Sequence, residues 1–129
     1  MFENKLIKIA SQSKYCGLKT GETFRCRMKN KICGDEIEIM IYEKLNELRY
    51  ETKACIFTQA SLAILAKNFK KIKNFKEIIT VISDKIDGKK TNQSLKYVKD
   101  YDFFFNKINK NRKECILLPY KAVLKALDD

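Results

Sequence analysis

Five cysteines and the absence of histidine decide which chemistry this chain of 129 residues could perform. Without an imidazole, Ser-His-Asp catalysis, Cys-His catalysis and histidine-rich metal sites are all excluded. Thiolate is the form of cysteine that binds metal ions and attacks sulfur atoms. Any reactive site must therefore be built from the cysteines, the carboxylates and the lysines.

Three of the cysteines fall where predicted secondary-structure elements meet. Cys33 lies in the loop between the first two predicted strands, Cys55 where the third strand gives way to a helix, and Cys115 at the start of the last helix. The N–H groups at a helix N-terminus favour the thiolate form. Asp35 would add a carboxylate, and three thiolates with one carboxylate form a tetrahedral set suited to Zn²⁺.

Spacing alone does not decide whether these residues form a site. The chain has no Cys-x-x-Cys pair, and the intervals from Cys33 to Cys55 and from Cys55 to Cys115 are 22 and 60 residues. Buried structural cysteines are common, so a structural or interaction protein with inert cysteines stays open as an alternative. The other two cysteines are interpreted as bystanders, Cys26 in the core and Cys16 exposed or half-buried.

The pattern of apolar residues predicts the elements that hold these side chains. Period-two alternation predicts three strands of an antiparallel sheet with one polar face, over residues 23–29, 35–43 and 48–54. Apolar residues at helical spacing predict five helices, over residues 2–15, 58–72, 75–86, 94–108 and 115–127. The fold class is therefore α+β, with a small three-stranded antiparallel sheet and helices packed on one face.

Local signals define several helix ends. Asn74 with Glu77 three residues later predicts a capping box. Pro119 lies inside the last predicted helix, where it has no N–H for the carbonyl of Cys115, so either that carbonyl is released or the helix start shifts. Glu114 directly precedes Cys115 and would either repel its thiolate or serve as an alternative ligand.

The net charge of +11 is typical of nucleic-acid-binding modules. Residues 67–90 contribute eight lysines against three acidic residues, whereas residues 36–51 are rich in glutamate. No recognition-helix motif accompanies the lysines, so a solvated helix face or a docking surface for an acidic partner is the preferred interpretation. A basic nucleic-acid-binding module with a structural zinc is the alternative function.

Length and even composition predict a single domain over residues 1–129. An odd number of cysteines excludes a fully paired disulfide framework within one chain. The sequence shows no secretory signal and no apolar run long enough to span a membrane, and we expect no membrane partner. A cytoplasmic location, where thiols stay reduced, is therefore expected.

Three segments together resemble a known family. They are Cys33-Gly34-Asp35 between two strands, Cys55 followed by Thr58-Gln59-Ala60-Ser61-Leu62-Ala63, and Arg112-Lys113-Glu114-Cys115 opening the last helix. From about Tyr15 to Leu127, this arrangement resembles the NifU/IscU family of iron–sulfur cluster assembly proteins. The long interval before the third cysteine and the absence of a histidine before it resemble the SufU subgroup.

The resemblance implies a SufE/NifU-like fold and a single NifU/IscU N-terminal-like domain. It implies that Cys33, Asp35, Cys55 and Cys115 bind zinc, or that the three cysteines bind iron or a transient [2Fe–2S] cluster. A cysteine desulfurase would hand its persulfide sulfur to Cys55, and a downstream iron–sulfur carrier or apo-protein would receive the product. The resemblance leaves open whether the chain is a non-enzymatic scaffold or a zinc-dependent sulfurtransferase.

Overall fold

A computed structural model describes residues 2–12, 14–30, 34–88 and 112–128. Their helices and strands are, in chain order, α1 (Phe2–Ala10), β1 (Phe24–Lys29), β2 (Glu36–Tyr42), β3 (Glu47–Lys53), α2 (Ile56–Asn68), α3 (Phe75–Ile86) and α4 (Lys113–Asp128). Short 3-10 turns follow β2 at Glu43–Leu45 and α2 at Phe69–Lys71. The α+β class is confirmed, while the helix predicted over 94–108 lies outside the described residues.

The three strands form one antiparallel sheet in the order β1-β2-β3, as the period-two pattern predicts. Helix α4 packs against β1 and β2, and α2 packs against β3, so the helices cover one face of the sheet. The core between sheet and helices contains large, almost fully buried side chains, among them Ile37, Ile39, Leu62, Leu65, Ile78, Ile82, Ile116 and Tyr120.

The expectation of a polar, solvated second face is wrong for the central strand. Every β2 residue from Ile37 to Tyr42 is buried. Residues 16–22 account for this at one end of the sheet, because Tyr42 exchanges hydrogen bonds with the backbone of Lys19. Arg49 on β3 donates to the carbonyl of Gly17 at 2.6 Å from the same side. Further along β2, Glu38 is covered by arginine side chains of β1.

The first helix ends at Ala10, five residues before the predicted end, because the chain beyond it pairs with β3. The N–H of Tyr50 donates to the carbonyl of Tyr15 at 3.1 Å, and the N–H of Gly17 donates to the carbonyl of Tyr50 at 2.8 Å. Backbone pairing of this kind satisfies groups that a longer helix would have used internally. The apolar spacing of residues 2–15 does not reveal that the end of this segment pairs with β3.

The boundaries of the later helices are closer to the predicted ones. Asn74 caps α3, because its side chain accepts from the N–H of Glu77 at 3.1 Å, as predicted. Gly88 follows the end of α3 with φ 77°, a left-handed conformation that favours glycine. Among the described residues, no helix is long and apolar enough to cross a lipid bilayer.

Candidate metal centre

Three elements bring Asp35, Cys55 and Cys115 to one end of the sheet. Asp35 directly precedes β2, Cys55 is the N-cap of α2, and Cys115 lies in the first turn of α4. The ligand atoms of these three side chains all lie within 4.8 Å of one another. Asp35 and Cys115 are buried, whereas Cys55 is half-buried. The structure thus brings together three of the four residues that the sequence analysis selected.

Asp35 is held in place by a turn and by the start of α2. Gly34, with φ 74°, lets the chain turn into β2, and its N–H donates to the carbonyl of Asn30 at 2.8 Å. Asp35 Oδ1 accepts the N–H of Cys55 at 2.9 Å, and the thiol of Cys55 donates to Oδ2 at 3.3 Å. Since the side chain of Cys55 makes no capping bond of its own, the carboxylate of Asp35 supplies an acceptor at the positive end of this helix.

Thr58 connects the candidate ligands to one another. Its Oγ1 lies 2.8 Å from Asp35 Oδ2, 3.1 Å from the carbonyl oxygen of Cys115 and 3.6 Å from Cys55 Sγ. The side chain is completely buried. The helix predicted to begin at Thr58 begins at Ile56 with Cys55 as its N-cap, so Thr58 lies in the first turn of α2 and its hydroxyl reaches the candidate ligands.

The contact between Thr58 and Cys115 explains how α4 accommodates Pro119. Proline has no N–H to donate to the carbonyl four residues earlier, which is that of Cys115. The hydroxyl of Thr58 lies within hydrogen-bonding distance of this carbonyl, and Ser61 donates to the next carbonyl, that of Ile116, at 2.7 Å. The helix continues through Pro119, and the Thr58 hydroxyl lies where it can replace the missing N–H as the partner of the Cys115 carbonyl.

Two other polar residues near the start of α4 have partners outside the three candidate ligands. Glu114 pairs with Lys121 at 2.6 Å on the exposed side of the helix, so its carboxylate is occupied elsewhere. The guanidinium of Arg112 stacks on the ring of Phe57, 5.0 Å from its centroid, which ties the start of α4 to the first turn of α2. Asp35 is therefore the carboxylate of the described cluster.

The remaining cysteines have separate locations. Cys33 lies outside the described residues, so its role as a ligand stays a prediction. Cys26 is buried in β1 as part of the core, and Cys16 is exposed beside Tyr50 of β3. Both match the interpretation as residues outside the site.

The donor set fits a metal ion. Zn–S bonds of about 2.3 Å place two thiolates of a tetrahedral site roughly 3.8 Å apart, and the separations observed here, all within 4.8 Å, need only small side-chain movements to reach that value. Two thiolates and a carboxylate occupy three corners of such a tetrahedron. Thiolates are also the usual ligands of iron in iron–sulfur clusters.

Two basic residues of β1 pair with a buried glutamate of β2. Arg25 donates to Glu38 at 2.7 Å, and Arg27 lies 3.6 Å from the same carboxylate. The hydrogen bond from Arg25 lowers the pKa of Glu38, so this carboxylate stays charged and offsets one of the two positive charges beside it. This pairing on the strand surface does not favour the alternative function.

Comparison with known proteins finds one that is similar to this chain in sequence. No protein-family model matches the chain. An uncharacterized protein of Borreliella burgdorferi strain B31 is 30% identical over 132 residues, which cover 98% of this chain and 89% of the relative.

Solved structures of other proteins have the same fold as this chain. One similar structure is that of a proposed iron–sulfur cluster assembly scaffold protein for the SUF system, SufU of Fervidobacterium islandicum AW-1, with a TM-score of 0.75 and 21% identity over 95% of this chain and 93% of that one. Another is the N-terminal part of a nitrogen-fixing NifU-like protein of Brucella abortus, with a TM-score of 0.72 and 17% identity over 96% and 90% of the two chains. The SufE/NifU-like fold expected from the sequence is thereby confirmed.

Proposed function

Since this chain belongs to the family of the Borreliella burgdorferi protein and has the fold of SufU and NifU-like proteins, we propose that it acts in iron–sulfur cluster assembly. Cys33, Asp35, Cys55 and Cys115 bind one metal ion or cluster, and Cys55 receives sulfur from a cysteine desulfurase. The product passes to an iron–sulfur carrier or apo-protein. The observation that carries the proposal is the convergence of Asp35, Cys55 and Cys115 from three separate elements.

The burial of the two described thiols of the candidate metal centre, those of Cys55 and Cys115, favours Cys55 as the sulfur acceptor. Cys115 is only 1% exposed, whereas Cys55, at the N-terminal end of α2, is half-buried. A bound metal ion would keep its cysteine ligands in the thiolate form. Because Cys55 is the more exposed of the two residues, we expect a partner carrying a persulfide to reach Cys55 more readily than Cys115.

The transfer is a thiol–disulfide-type exchange that needs no external oxidant or reductant. The thiolate of Cys55 attacks the terminal sulfur of the desulfurase persulfide and forms a new S–S bond. The S–S bond of the donor breaks, and its electron pair stays on the donor cysteine, which leaves as a thiolate. The Cys55 thiol, which donates to Asp35 Oδ2 at 3.3 Å, would release its proton to solvent on metal binding, so the attacking group is the thiolate.

Transfer of labelled sulfur tests this role. A cysteine desulfurase is charged with ³⁵S-cysteine and mixed with the chain, and label on the chain is measured after non-reducing electrophoresis. We expect Cys55→Ser to reduce the transferred label to background, because the attacking thiolate is gone. Cys16→Ser, which changes an exposed cysteine outside the site, should keep wild-type transfer. Full labelling of the Cys55 variant would exclude Cys55 as the acceptor.

A further inference from the structure

A second concave feature lies on the side of α2 that faces α1. It is a cavity of about 440 Å³ between the segment after α1, β3 and the C-terminal half of α2, lined by Gln12, Lys14, Tyr15, Tyr50, Ala63 and Lys67. Its volume falls in the range of sites that enclose small ligands or anchoring side chains. None of these residues belongs to the candidate metal centre.

The floor of this cavity is aromatic and uncharged. Tyr50 is 4% exposed, and its hydroxyl donates to the carbonyl of Gln12 at 3.2 Å. Burial raises the pKa of Tyr50 to about 12, so the phenol stays neutral at physiological pH. Tyr15 is half-buried, and the methyl group of Ala63 contributes further apolar surface.

The rim of the cavity is basic and lacks compensating charge. Lys14 and Lys67 are exposed at the cavity, and Lys70 and Lys71 continue the basic surface through the 3-10 turn after α2. We call the two lysines that line the cavity, Lys14 and Lys67, the basic rim. No acidic residue occurs in the sequence between Glu51 and Glu77, and no described residue forms an ion pair with Lys67, Lys70 or Lys71. Unpaired charges of one sign around a concave surface attract partners of the opposite sign.

We propose that the cavity and the basic rim dock an acidic peptide segment of a partner protein. An aromatic or large aliphatic side chain of the segment enters the cavity between Tyr15 and Tyr50, and its carboxylates lie against Lys14 and Lys67. A peptide fits better than a nucleic acid, because single-stranded nucleic acids stack their bases on exposed aromatic side chains. Here Tyr50 is buried, and the ammonium of Lys14 lies over the ring of Tyr15.

The location keeps this docking surface apart from the candidate metal centre. Lys67 follows Cys55 by twelve residues along α2, which corresponds to about 18 Å at a rise of roughly 1.5 Å per residue. A partner bound at the basic rim therefore leaves Cys55 accessible. The docking surface does not depend on metal binding, so it can be tested separately from the proposed function.

Fluorescence anisotropy with a labelled peptide, in which Asp and Glu flank a single Phe, tests the proposal. We expect saturable binding to the full chain that weakens with added salt. The double variant Lys14→Glu/Lys67→Glu should bind on the order of tenfold more weakly, the size expected for reversing two rim charges. Lys44→Glu/Lys125→Glu makes the same change in net charge at exposed positions outside the cavity and should bind as wild type does.

The anchoring side chain is tested on the peptide, which avoids any effect on folding. Replacement of its Phe by Ala should weaken binding to the wild-type chain, because the cavity is then left unfilled. Three results would overturn the proposal: no saturable binding, equal losses in the two double variants, or no effect of the Phe replacement. Tighter binding of a single-stranded RNA of the same charge, lost in Lys14→Glu/Lys67→Glu, would assign the surface to nucleic acid instead.

Discussion

Cys115→Ser is expected to lower the metal content of anaerobically purified protein from about one equivalent per chain to near zero, as for loss of a ligand from a four-coordinate site. Cys115 is 1% exposed, and its Sγ lies within 4.8 Å of the ligand atoms of Asp35 and Cys55. Serine preserves the shape of the side chain but replaces the thiolate by a hydroxyl that stays protonated. Metal analysis by mass spectrometry of the desalted protein measures the change.

Cys26→Ser is the matched control for this variant. Cys26 is also buried, at 7% exposure, but it lies in β1 and outside the candidate metal centre. Both substitutions place a hydroxyl in the core, so both lower the free energy of unfolding. Cys26→Ser should nevertheless keep its metal. If the two variants lose metal in parallel, the loss reflects unfolding and not the removal of a ligand.

Thr58→Val is expected to lower the free energy of unfolding by about 1–3 kcal/mol, the cost of leaving a buried polar group without its hydrogen bond. The substitution keeps the shape of the side chain and removes the hydroxyl that lies beside the Cys115 carbonyl and Asp35 Oδ2. Because both partners belong to candidate ligands, the variant should also bind metal more weakly. Urea unfolding and competition with a chelator measure the two effects.

A double-mutant cycle with Pro119→Ala isolates the bond to the carbonyl. Alanine restores an N–H at position 119 that can donate to the carbonyl of Cys115, so Thr58→Val should cost less in that background. A coupling of about 0.5–3 kcal/mol is typical of residues that share a partner. Thr80→Val, which removes an exposed hydroxyl bonded within α3, should change stability little. Strict additivity of Thr58→Val and Pro119→Ala would contradict the role of Thr58 as the substitute donor.

Local patterns predict the elements because each of them depends on neighbouring residues. The alternation of Ile37, Ile39 and Ile41 places β2 against the helices, and the Asn74–Glu77 pair fixes the start of α3. The end of α1 and the burial of Tyr42 could not be predicted in this way. Both arise from hydrogen bonds with residues distant in the sequence.

The candidate site also combines features that the local sequence predicts with features that depend on contacts between distant residues. Spacing alone left Cys55 and Cys115 undecided between ligands and inert core residues, because their contact spans 60 residues of sequence. The resemblance to a known family selected them, and the fold brings them together. One local signal for Thr58 was present, because Pro119 requires some other donor for the Cys115 carbonyl. The sequence does not say which hydroxyl supplies it.

X-ray absorption at the zinc edge of the zinc-loaded chain tests the central claim most directly, because it counts the atoms bound to the metal. With Cys33, Asp35, Cys55 and Cys115 as ligands, we expect three sulfur atoms at about 2.3 Å and one oxygen at about 2.0 Å. In Asp35→Ala the sulfur count should be unchanged and the carboxylate oxygen absent. A shell with fewer than three sulfur atoms, or a chain that retains no zinc, would contradict the four-residue site.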